Sequence, residues 1–136
     1  MRAVLALLAL YAAAPAPQGG YAARLTGKRL VLKSTTCAGW AFPSRGTATR
    51  YDEVVCSRGG VDESTFDARV RWITPDSFVL VEDKPVPGDC PPRTWLYKVK
   101  RATRDTVVLE GLWTGWGTYP DSVEEYRFQQ PAEQTP

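Results

Sequence analysis

Alternation of apolar and polar residues with a period of two is the feature that most limits what this chain can become. In TFDARVRW (65–72), Phe66, Ala68, Val70 and Trp72 share one face, and Asp67, Arg69 and Arg71 share the other. TWLYKVKR (94–101) repeats the pattern, with Trp95, Tyr97 and Val99 set against Lys98 and Lys100. EEYRF (124–128) sets Tyr126 and Phe128 against Glu125 and Arg127. Successive side chains of a strand point to opposite sides of the sheet, so each run has one face for a core and one for water. A different run, SFVLV (77–81), is apolar on both faces, so its outward side needs cover from a neighbour.

Similar runs, separated by Gly, Pro, Asp and Ser clusters, continue from Thr26 to the end, and no helical period exceeds two turns. The expected strands are 28–34, 38–42, 47–56, 65–73, 77–82, 94–101, 106–112 and 123–129. Three of the links, PSRG (43–46), TPDS (74–77) and ATRD (102–105), are tight hairpin turns. The other four, STTCAG, CSRGGVDES, DKPVPGDCPP and WTGWGTYPDS, are long, and long and tight links alternate strictly. In an up-and-down meander every second link lies at the same end. All four long links are therefore expected at one end, and all the tight turns at the other.

Ahead of the strands, Arg2 precedes an apolar run of twelve residues, 3–14. A membrane-spanning helix needs about 20 apolar residues, so the run fits a secretory signal better. The expected signal segment is 1–22, with Ala12-Ala13-Ala14 and Gly20-Tyr21-Ala22 both offering small residues for cleavage. The barrel domain is then 23–136, with a disordered C-terminal tail from about residue 130. All five Trp lie in this part, which is the size of one ordinary domain. The net charge of +2 and the lack of any Lys/Arg run longer than two residues argue against a nucleic-acid partner. A monomer with no membrane span after signal cleavage is expected.

An exported chain meets an oxidising compartment, so the three cysteines, Cys37, Cys56 and Cys90, are expected to form one disulfide and leave one thiol. Cys37 and Cys56 flank one hairpin, and Cys56 and Cys90 flank the next. Cys37–Cys56 is favoured, and spacing does not exclude Cys56–Cys90. With no His in the chain and no zinc-like spacing of cysteines, neither a metal site nor another cofactor is expected.

The stretches LTGKRLVLKS, CAGWAF-x-x-x-G and EEYRF together resemble bacterial lipocalin-like (calycin-type) domains, over about residues 25–129. That family opens on Leu-x-Gly, carries an aromatic-x-Phe strand before a Gly turn, and closes on Tyr-x-Phe. Its opening usually reads Gly-x-Trp, and here Arg29 stands where the Trp would be. The resemblance implies an eight-stranded antiparallel barrel whose long-loop end faces a ligand. A β-sandwich is the alternative fold.

Catalysis has little support in the residues. The absence of His removes the familiar Ser–His and Cys–His nucleophiles. Adjacent acidic pairs such as Glu124-Glu125 point to opposite faces, whereas a glycosidase needs two carboxylates facing one cleft. Binding is better supported. Trp113, Trp116 and Tyr119 bring flat apolar faces to one Gly-rich loop, and Arg58 and Arg93 are placed at the same end beside Cys56 and Cys90. The aromatics either plug the barrel mouth or recognise a partner. So many large residues point inward that a small cavity or none is expected. The expected function is that of an exported, non-enzymatic binding protein for a small apolar or amphipathic molecule, or for a protein. The alternative is a periplasmic inhibitor or interaction protein acting on an envelope enzyme.

Overall fold

The computed structural model describes residues 20–58, 64–84, 91–115 and 117–129. Most of the expected signal segment, Cys90, Trp116 and the C-terminal tail lie outside them. Eight antiparallel strands close into an up-and-down barrel, each strand bonded to its chain neighbours and β1 to β8. They are β1 (Lys28–Leu32), β2 (Gly39–Ser44), β3 (Thr47–Tyr51), β4 (Phe66–Thr74), β5 (Ser77–Glu82), β6 (Thr94–Ala102), β7 (Thr106–Leu112) and β8 (Ser122–Phe128). The β1–β8 ladder, in which Leu30 faces Phe128 and Leu32 faces Tyr126, closes the ring and excludes the β-sandwich.

Alternation sets the interior. Trp40, Phe42, Ala48, Ala68, Phe78, Leu80, Tyr97, Val99, Val107, Leu109 and Tyr126 are buried in one core. Phe78 sits at its centre, in ring contact with Phe42, Trp72 and Tyr97. Outside, Val79 is paired with Arg71 and Val81 with Arg69. Long Arg stems can cover apolar neighbours while their charged heads stay in water, which gives the two-faced β5 its partial shelter.

Two short helices depart from the all-strand expectation. Helix α1 (Gly20–Leu25) packs at the tight-turn end, where the Tyr21 N–H donates to the Pro75 carbonyl at 2.9 Å. Its Leu25 is fully buried in the barrel core, and its Ala22 is buried as well. Leu25 therefore plugs the closed, tight-turn end of the barrel.

Helix α2 (Glu53–Arg58) corrects the expected third strand, which stops at Tyr51 rather than running to Cys56. Val54 and Val55 favour a strand by propensity, but tertiary ties override them. The N–H groups of Val55 and Cys56 both donate to the Asp52 carbonyl, starting a helical turn. That turn presents the Glu53 carboxylate and Cys56 to the β1–β2 loop. Cys37 and Cys56 are joined in a disulfide, with their Cα atoms 6.1 Å apart. Among the described residues no helix is long and apolar enough to cross a membrane.

Candidate functional site

The long-loop end of the barrel divides into a filled half and an open half. In the filled half, Phe66 and Trp95 stack with ring centroids 5.5 Å apart, and Trp40 meets Trp95 edge-on at 5.2 Å. Arg93 lies over the Phe66 ring at 4.0 Å. Its Nε and Nη2 donate to the two carboxylate oxygens of Glu82, each at 3.0 Å. That fork holds the Glu82 carboxyl below its ordinary range and the Arg93 guanidinium above its own. Arg93 thus reaches the expected end, but its charge is already engaged.

The open half is a cavity of about 390 Å³. Its lining includes aromatic and apolar residues, Trp95, Leu96, Leu112, Trp113 and Pro120. It also includes polar residues, Arg50, Tyr97, Ser122 and Glu124. The inward register of two strands places the charged pair. Arg50 shares a face of β3 with buried Ala48, and Glu124 shares a face of β8 with Tyr126. Gly111 keeps the space free. A side chain there would begin 2.7 Å from Ser122 Oγ and 3.3 Å from the Tyr97 ring.

The polar groups are individually braced. Arg50 Nε donates to Asp52 Oδ1 at 2.9 Å, and its guanidinium lies over the Trp40 ring at 5.0 Å. The Tyr126 hydroxyl donates to Glu124 Oε2 at 2.6 Å. Burial pushes both the Tyr97 and the Tyr126 hydroxyls up, the proximity of Tyr97 adding to the effect on Tyr126, so both stay protonated. Arg50 and Glu124 do not form an ion pair with each other, although both line the same cavity.

Of the residues expected at the site, Trp113 lines the cavity and Tyr119 meets it edge-on at 4.9 Å. The Trp113 N–H donates to Asp121 Oδ1 at 2.8 Å, and the indole folds back over Gly115, so the loop is cross-braced at the mouth. Tyr119 stays exposed on the rim, and Arg58 is exposed at the end of α2, away from the cavity lining. Arg50 and Glu124 were missed at the sequence level. The available signal was a charge on the same strand face as a core residue, Arg50 with Ala48 and Glu124 with Tyr126.

A second recess of about 490 Å³ lies outside the barrel at the closed end, between Tyr21, Pro75, Asp76 and Lys98–Lys100. It brings together fewer aromatic and unpaired polar groups, since Lys98 already faces Asp76 at 3.9 Å. The mouth cavity is the better site. No family model, curated protein or solved structure matches this chain.

Proposed function

We propose that this is an exported, non-enzymatic binding protein that takes a small amphipathic molecule at the loop-rich end of a lipocalin-like barrel. The observation that carries the reading is the mouth cavity, whose 390 Å³ lies within the ordinary size range of small-molecule sites. A lining that combines aromatic and apolar residues with Arg50, Ser122 and Glu124 suits a ligand with an apolar body and a polar edge. Export is supported by the apolar N-terminal run and by the Cys37–Cys56 disulfide, which belongs to an oxidising compartment. A chain without His lacks the commonest general base, which favours binding over catalysis.

A second reading, protein recognition by the rim, is favoured by one observation. Trp113, Tyr119 and Val123 are 49%, 63% and 64% exposed on one connection and the strand after it. Exposed apolar groups gathered this way are common in recognition surfaces.

Native mass spectrometry of protein purified from its own host separates the two readings. The wild type should carry a small-molecule adduct that Gly111→Leu, which fills the cavity, does not retain. An adduct-free wild type overturns the carrier reading. A co-purifying polypeptide that survives Gly111→Leu but is lost in Tyr119→Ala supports recognition by the rim.

A further inference from the structure

Resting on that cavity reading, we infer that the ligand is a neutral, flat molecule whose polar edge carries both a hydrogen-bond donor and an acceptor, as a primary amide does. Arg50 and Glu124 set this requirement. A guanidinium only donates hydrogen bonds, and an ionised carboxylate only accepts them. Asp52 occupies the Nε of Arg50 at 2.9 Å, and the Nη groups make no hydrogen bond to a described residue. Tyr126 occupies one oxygen of Glu124 at 2.6 Å, and the other accepts none from the described residues.

The cavity therefore offers one spare donor group and one spare acceptor, braced in place and not satisfied by each other. Arg50 is held over Trp40 by stacking and by Asp52, so it does not swing freely to Glu124. A ligand anion would pair with Arg50 and face the Glu124 carboxylate. A ligand cation would pair with Glu124 and face the Arg50 guanidinium. A zwitterion would satisfy both but would have to shed the hydration of two charges in a cavity lined in part by aromatic and apolar residues. A neutral amide-like edge accepts from Arg50 and donates to Glu124 at a smaller desolvation cost. The flat body follows from the lining, which includes the indole rings of Trp95 and Trp113.

Four probes with one aromatic body and different heads test this: 2-naphthamide, 2-naphthoate, 2-naphthylmethylammonium and 2-ethylnaphthalene. Each is titrated into the ¹⁵N-labelled full chain while the Trp indole N–H resonances are followed. 2-Naphthamide should bind about tenfold or more tighter than each of the others, in keeping with a pair of hydrogen bonds to charged groups. Glu124→Gln removes the carboxylate's charge while keeping an acceptor for Tyr126, and it should weaken 2-naphthamide and strengthen 2-naphthoate.

Equal binding of 2-ethylnaphthalene and 2-naphthamide, or tightest binding of either charged probe, overturns the donor–acceptor requirement while leaving the cavity as a binding site. An unchanged ranking in Glu124→Gln also overturns it. If none of the four shifts an indole resonance, the cavity reading fails with it. The wild-type ranking is decisive even if Glu124→Gln does not fold.

Discussion

Gly39 opens β2 with φ +152, and a Cβ placed there would lie 2.0 Å from the Leu30 carbonyl oxygen in the paired strand. Neither atom has room to retreat, because Leu30 is fully buried and Trp40 follows at once. Gly39→Ala should therefore cost about 3 kcal/mol, combining backbone strain with overpacking, measurable by urea unfolding. Glu53 is a residue of a different kind. Its carboxylate accepts the N–H groups of Cys37 and Thr36 at 3.0 and 3.1 Å, and that of Ala38 at 3.1 Å. The Cys37 and Thr36 bonds, in that order, pull its pKa below the ordinary 4.5. The folded state thus holds the proton less tightly than the unfolded chain, so this stabilisation is complete above pH 4.5 and fades as pH falls through the lower folded value. Glu82, drawn down by the Arg93 hydrogen bonds, and Asp76, drawn down chiefly by the Thr74 hydroxyl, act in the same direction. Unfolding midpoints followed from neutral pH into acid should fall, and Glu53→Gln should make that fall shallower. An identical slope in the variant would remove Glu53 from the explanation.

At the scale of elements, α2 and the β1–β2 loop form one unit, joined by the disulfide and by the Glu53 carboxylate. The bridge spans a sequence separation of 19, and chain-entropy reasoning puts its contribution at about 3 kcal/mol. Replacing both Cys37 and Cys56 by Ser should lower stability by about that much in denaturant titration, with the barrel's β signature in circular dichroism retained. Loss of the β signature would mean that the bridge is needed to close the ring. The strands themselves were readable from residues alone. Alternation located β4, β6 and β8 to within a residue or two, and β5 and β7 occupy the expected positions. Helix α2 was not readable, because two adjacent valines favour a strand and the ties that bend the chain come from a loop fifteen or more residues earlier.

For the whole molecule, the large aromatics fall into two classes that composition does not distinguish. Trp40 is fully buried and central to the filled half of the mouth, whereas Trp113 is half exposed on the cavity wall. Trp40→Ala should cost about 3–5 kcal/mol by thermal or urea unfolding. Trp113→Ala should cost under about 1 kcal/mol while weakening any bound aromatic probe. A large stability loss in Trp113→Ala would make the loop a core plug rather than a wall of a site. Period-two alternation and turn chemistry were enough to read eight strands and, for a meander, a loop-rich end, and the spacing of Cys37 and Cys56 was enough to favour their bridge. These are local properties, and each strand or hairpin carries them by itself. Only the tertiary structure decided that the ring closes through β1 and β8, that Leu25 plugs the far end, and that Arg50 and Glu124 line one cavity. Those depend on strand register and on the curvature of the closed sheet, which bring together residues that no short stretch of sequence contains.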